Sequence, residues 1–417
     1  MTLGLAYSAQ AQDALSGARL YADVARYASF GQHRFGSVGD RETTDWIAAE
    51  LKAAGFATRF QDFALPRQYE VASAALKVGD KKLDALPFWW PPEDKASFHI
   101  EGRLTRDGDA AGKLLWITLP DDRGAYLDDA HRKAIAEAAA RNPKAILLTI
   151  ENAGDDLFAY NVTQEDRPWP VPVIVVAGRD RATLEAAMNK GESVAVDVDG
   201  RYQRNVAGRN VVATLGRGAK QTIVVSTPMT GWFSCVCERG PGVANFLAMA
   251  RYAATRNWSV NFVFVATAGH EIGHGGMEVF LHDGAPKPDD TLAWVHFGAG
   301  NACYSWTKGA DGFSTDKSVD SAGRALILSP SAQKLVREKF GDIGAARLVA
   351  EKTAVGELRD VKAAGYRNFL GMAGRHRFFH NPSDDLRTTG PEILEPVARA
   401  FAATLNDIAE KGEAAFR

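Results

Sequence analysis

The pattern of apolar and polar positions changes character twice along the chain. Over residues 13–66 the stretch ALSGARLYADVARYASFG carries apolar residues at helical spacing, and a loop leads into a second amphipathic run, GSVGDRETTDWIAAELKAAGF. Gly55, just past that run, is the stop expected at a helix C-terminus. ATRFQDFAL then alternates with period two, as a strand does. From 67 to 200 the chain is rich in β-type runs (VASAALKV, KLLWITL, AILLTIE, VPVIVVA, SVAVDV), with helices expected around 128–141 and 181–190. Pro87, Pro91, Pro92, Pro168, Pro170 and Pro172 punctuate its loops. From Asn210 strands and helices alternate. NVVATL, TIVVST, NFVFVATA and LAWVHFGA predict strands; PGVANFLAMARYAAT, GMEVFLHD and the final PEILEPVARAFAATLNDIAEK predict helices. Such alternation predicts a parallel or mixed sheet covered on both faces. The expected architecture is α/β: a discontinuous domain over 13–66 and 201–417, interrupted by a β-rich insert over 67–200.

Composition adds exclusions. The chain has 417 residues, enough for two or three domains at roughly 150 residues each. It is 46% hydrophobic and 24% charged, with a formal net charge of -2, so nothing in the balance points to nucleic acid or an anionic membrane surface. No apolar run approaches the ~20 residues that span a bilayer. Ala9-Gln10-Ala11 resembles a signal-peptide cleavage site, although the positive n-region is missing and the apolar stretch before it is short. It favours a periplasmic or secreted protein over a cytoplasmic one. Cys235 and Cys237 are too close in sequence to favour pairing with each other. In an exported protein one of them can pair with Cys303; three buried free thiols is the alternative.

The candidate chemistry follows the strands. TIVVST leads into Pro228-Met229-Thr230-Gly231-Trp232 and then Cys237-Glu238-Arg239-Gly240-Pro241-Gly242; NFVFVATA leads into Gly269-His270-Glu271; LAWVHF holds His296 near its end; and FFHNPSDD places His380 in a loop. Carboxylates and imidazoles from four segments converge at one sheet edge, as a metal site requires. His270-Glu271-Ile272-Gly273-His274 also matches HExxH, in which a helix presents both histidines on one face. Here Gly269, Gly273, Gly275 and Gly276 surround it, and each glycine costs a helix interior about 1 kcal/mol. The expectation is a strand-to-helix turn that presents His270 and Glu271.

These motifs, in this order, resemble the M28 family of zinc aminopeptidases and its glutaminyl cyclase relatives. The matching stretches are Gly231-Trp232, Glu238 to Ala244, His270 to Gly273 and Phe379-His380-Asn381-Pro382-Ser383-Asp384, with FGQHRFGSVGDRETTDWIAAELKAAGF similar to the family's opening. The resemblance implies a three-layer α/β/α aminopeptidase-like domain with a mixed sheet, and a protease-associated-like insert over 67–200. It also implies hydrolysis of an amide bond in a small peptide or amino-acid conjugate. Several family ligands are replaced. The first His and the Asp of H-x-D fall on Pro228 and Thr230, the bridging Asp on Glu238, and the general-base Glu on His270. One zinc is therefore expected rather than two, held by Glu238, Glu271 and His380, with His270 as general base. Each has an ordinary alternative: a helix N-terminal carboxylate for Glu271, a salt bridge to Arg239 for Glu238, a hydrogen-bonded loop histidine for His380. His296 joins His270 as a catalytic candidate. Trp232, His274, Arg375 and Arg377 are candidates for substrate binding, the arginines by bidentate pairing with a carboxylate or else as a solvated charge cluster. Phe88-Trp89-Trp90 forms either an aromatic wall or the core of the insert. Two rival readings stand: a cyclase in which the substrate's own amine attacks, and a metal-free protein that binds a peptide or small ligand.

Overall fold

The computed structural model describes residues 14–120 and 124–417; the Ala9-Gln10-Ala11 signal lies outside the described residues. Two helices come first, α1 (Gly17–Ala28) and α2 (Val38–Ala53), with Ser16 and Ser37 accepting from the N–H groups of Arg19 and Asp40 as side-chain caps. There follow β1 (Ala57–Val78), β2 (Lys81–Pro87), β3 (Phe98–Thr105), β4 (Leu114–Leu119), α3 (Asp129–Ala139), β5 (Ala145–Ile150), β6 (Val173–Val176), α4 (Arg181–Lys190) and the long β7 (Ser193–Leu215). The remainder is β8 (Thr222–Pro228), α5 (Val236–Ala254), β9 (Asn261–Thr267), α6 (Gly275–Asp283), β10 (Thr291–Phe297), a hairpin of β11 (Thr307–Gly309) and β12 (Gly312–Ser314), β13 (Arg324–Leu328), α7 (Gln333–Phe340), β14 (Ala346–Val349), α8 (Glu357–Ala363), β15 (Phe369–Gly374) and α9 (Pro391–Lys411).

The chain divides into two compact units. The larger holds the chain up to Phe63 with Ala207–Phe379 and Asp384–Arg417; the smaller holds Ala64–Val206 with His380–Ser383. In the larger unit the strand order from β7 is β7-β9-β8-β10-β15-β13-β14. Strands β9, β8, β10 and β15 run parallel, whereas β7 is antiparallel to β9 and β13 to β15, so the sheet is mixed. Every residue of β8 is buried, which explains its unbroken apolar run: a strand covered on both faces has no solvent side to mark with polar residues. The period-two alternation of side chains shows what covers each face. Phe264 meets Phe246 of α5 and Phe297 meets Phe401 of α9 on one side. Val265 and Trp294 pack with Met277 and Phe280 of α6 and Leu358 and Val361 of α8 on the other. Helices on both faces of a mixed sheet give the three-layer α/β/α architecture.

The smaller unit is built on the order β1-β2-β6-β5-β4-β3-β7. Its central strands are parallel and its flanking pairs antiparallel. Leu76, Leu114, Trp116, Leu147, Ile174, Leu184 and Val196 belong to its core. Phe88, Trp89 and Trp90 are buried and no wall: the Phe88 and Trp89 rings stack on each other, and Trp90 donates its indole N–H to Thr163 O. No helix among the described residues is long and apolar enough to cross a membrane.

Candidate active site at the strand ends

Parallel β8, β9 and β10 deliver the segments after Pro228, Thr267 and Phe297 to the same edge of the larger unit's sheet. Beyond β9 the chain makes one turn of 3-10 helix, His270–Ile272, between Gly269 (φ 75°) and Gly273 (φ 80°). Both glycines sit in the left-handed region that residues with a Cβ avoid. His274 enters that region as well (φ 62°) before α6 begins, a backbone cost of roughly 1–3 kcal/mol carried by a non-glycine residue. The HExxH stretch is thus a strand-to-helix turn and not a ligand-bearing helix.

Thr230 organises this turn. Its hydroxyl donates to Glu271 Oε2 (2.7 Å) and accepts from the N–H groups of Gly269 (2.8 Å) and His270 (3.3 Å). Glu271 Oε1 accepts from Phe35 N–H at 2.6 Å, so both oxygens of this buried carboxylate are held by the protein. Burial raises the Glu271 pKa, and the Phe35 and Thr230 bonds oppose the rise.

From the start of α5 comes Arg239, 1% exposed, whose Nη2 lies 2.8 Å from Glu238 Oε1 and whose Nε donates to Thr230 O at 2.9 Å. Burial, the largest influence, works against the guanidinium charge, but Glu238, Cys235, Tyr27 and Glu357 together outweigh it and the Arg239 pKa is raised. Arg239 Nη1 is buried and makes no hydrogen bond among the described residues.

His270 and His296 feel the charge of this cation. His270 Nδ1 lies 3.2 Å from Glu357 Oε1, and the His270 ring stacks on His274 at 4.4 Å between centroids. His274 Nδ1 is 2.6 Å from Asp360 Oδ2. His296 Nδ1 is 2.8 Å from Ser226 Oγ, and Ser226 Oγ accepts from Trp294 Nε1–H at 2.7 Å. Burial, and next the nearby Arg239 charge, hold the His270 pKa well below the ordinary histidine value; burial brings His296 down to about 4. Both are neutral at neutral pH, and burial raises the Glu357 pKa.

Asp384 fixes the start of α5, accepting from Cys237 N–H (2.8 Å), Glu238 N–H (3.0 Å) and the Thr388 hydroxyl (3.0 Å). A carboxylate on the first N–H groups of a helix also matches its dipole. Beside it Cys237 and Cys303 form a disulfide, leaving Cys235 as a free buried thiol.

No family model matches the sequence, and no curated protein does. Solved structures do. A zinc aminopeptidase from Bacillus subtilis aligns over 96% of this chain and 98% of its own, with a TM-score of 0.70 at 14% identity. An M28 peptidase precursor from Shewanella amazonensis aligns over 97% and 96%, TM-score 0.69 at 16% identity. A glutaminyl cyclase from Porphyromonas gingivalis aligns over 95% and 99%, TM-score 0.50 at 11% identity. The chain has the aminopeptidase fold.

That fold implies zinc, and Glu238, one of the three expected ligands, does not fit it. Glu238 is already paired with a buried guanidinium, a fixed charge that opposes a divalent ion beside it. Glu271 accepts one hydrogen bond on each oxygen, from Phe35 N–H and the Thr230 hydroxyl. His380 belongs with the smaller unit, its Nδ1 2.6 Å from Ala159 O and its carbonyl accepting from Ala159 N–H. Among the described residues, the one group of three His, Cys, Asp or Glu side chains whose donor atoms all lie within 4.8 Å of one another is Cys237, Cys303 and His376.

Within the aminopeptidase fold the structure thus brings Glu238, His270, Glu271, His274 and His296 to one strand edge. Trp232 is buried there under the Arg34 guanidinium, 4.9 Å from its ring. Arg375 lies over Phe379, and Arg377 lies over Phe313 while donating to Trp306 O, so both arginines sit among aromatic rings. Sequence reasoning missed Glu357 and Asp360, which look like ordinary acids of a short helix. It named Arg239 only as a salt-bridge partner, and a buried cation next to the motif carboxylate is the signal that would have found it.

Proposed function

We propose that the chain acts on an amide bond of a small peptide or amino-acid conjugate with Arg239 in the role a metal plays in zinc aminopeptidases. The observation that carries this reading is the buried Arg239 guanidinium. It is anchored by Glu238 and Thr230, and its Nη1 has no hydrogen-bond partner among the described residues. A fixed cation with an unspent N–H in a dry site can hold a substrate carboxylate, or the oxygen of a carbonyl as charge develops on it. His270, neutral and oriented by Glu357, accepts the proton of the attacking water and returns it to the leaving amine. Thr230 and Glu271 set the position of the turn that bears His270. The fold's enzymatic neighbours support the reading, and no zinc is assigned to Glu238, Glu271 and His380.

The test is a turnover screen with amino-acid amides and short peptides on protein stripped by a chelator. Turnover should survive stripping, fall on the order of 10²-fold or more in His270→Ala, and fall similarly in Arg239→Lys, with thermal melting as the folding control. Turnover that appears only when zinc is added, and is lost in Glu271→Gln, would restore the metal mechanism. Arg239-dependent peptide binding without turnover would leave a binding protein.

A further inference from the structure

Cys237, Cys303 and His376 lie in the larger unit, all three buried. The two cysteines form a disulfide with Cα atoms 5.8 Å apart. The His376 imidazole is 1% exposed, and neither ring nitrogen makes a hydrogen bond among the described residues. Its Nε2 stands 3.4 Å from Asp384 Oδ2, longer than a hydrogen bond. A buried imidazole without a hydrogen bond is costly, roughly 1–3 kcal/mol for the unsatisfied group, and such a cost points to a hydrogen-bonding or ligating group absent from this state.

We infer that Cys237, Cys303 and His376 form a redox-gated zinc site: a disulfide in the oxidised protein, a two-thiolate, one-imidazole centre in the reduced one. Two sulfurs and an imidazole nitrogen are soft and borderline donors, which select zinc over magnesium or calcium. In a tetrahedral site with Zn–S bonds of about 2.3 Å the sulfurs sit roughly 3.8 Å apart, so they must move apart once the disulfide is reduced, and the three donors already lie within 4.8 Å of one another. Two thiolates cancel the charge of Zn²⁺, so the buried centre is neutral. Asp384, beside His376 and already fixed by Cys237, Glu238 and Thr388, is placed as the carboxylate that orients a metal-bound histidine. The steps balance. A dithiol reductant gives two electrons and two protons to the disulfide, yielding two thiols and its own cyclic disulfide. Zinc then binds the two sulfurs and releases two protons. The inference is independent of how Arg239 and His270 act.

Cobalt(II) binding to the full-length protein tests it, on samples stripped of metal and either left oxidised or reduced with a dithiol that is then removed without air. The reduced protein should take up one cobalt with a thiolate-to-cobalt charge-transfer band, displaced by one equivalent of zinc; the oxidised protein should show no such band. His376→Ala should weaken binding at least about tenfold, and Cys235→Ser should change nothing. No charge-transfer band in the reduced protein overturns the proposal. So do unchanged affinity in His376→Ala, loss of the band in Cys235→Ser, or a reduced chain that loses its native circular dichroism and does not regain it with zinc.

Discussion

Glu357 touches His270 and Thr267 and acts through the imidazole it holds, which makes it a positioning residue. Glu357→Gln should lower kcat on the order of 10²-fold and leave KM nearly unchanged, a split that steady-state kinetics reads directly. His296 gives a prediction in pH. Its folded pKa of about 4 lies below its ordinary 6.5. Between those values the unfolded chain binds a proton that the folded chain refuses, so stability contributed by neutral His296 is present above pH 6.5 and is lost as pH falls towards 4. Measured by urea unfolding, the wild type should lose roughly 3 kcal/mol relative to His296→Gln over that window. Parallel melting curves across the window would refute the burial argument.

Among elements, the join between β9 and α6 is close-packed. Asn210 of β7 accepts from Ala268 N–H and donates to Gly276 O and Gln61 Oε1, tying two strands to the first turn of α6. A Cβ at Gly276 would overlap Asn210 Oδ1 and the Ala268 backbone. Gly276→Ala should therefore cost about 1–3 kcal/mol and lower the melting temperature, since the Ala268 backbone and the tied Asn210 amide must both give. This level of structure was largely legible in the sequence. The apolar runs of β8 and β9 mark strands covered on both faces, and the glycines at 269 and 273 mark the left-handed turn. What the pattern could not carry was the meeting of side chains far apart in sequence. Whether Glu238 faces a metal or Arg239 depends on rotamers within one helical turn. Glu357 reaches His270 from a helix 87 residues on. The cysteines left two pairings open until the fold put Cys303 beside Cys237 rather than Cys235.

Across the larger unit, α1, α2 and α5 are joined by one charge cluster. Arg251 Nη1 lies 2.6 Å from Asp23 Oδ2, and its Nη2 lies 2.6 Å from Glu50 Oε2, with Asp23 nearly buried. Burial raises the Asp23 pKa and Arg251 opposes the rise. Arg251→Met leaves that acid with only the half-exposed Arg19 3.5 Å away and should cost about 3 kcal/mol in urea unfolding, whereas Arg251→Met with Asp23→Leu should recover much of the loss. The carboxylate of Asp384 has a different consequence, in time. It seats the first N–H groups of α5 from 147 and 146 positions further along the chain. At about 5–20 residues per second a ribosome needs roughly 7–30 s to make that stretch. Through that interval Glu238 and Arg239 already exist while the carboxylate that anchors their helix does not, so the nascent chain holds the candidate site unfinished until residue 384 is made.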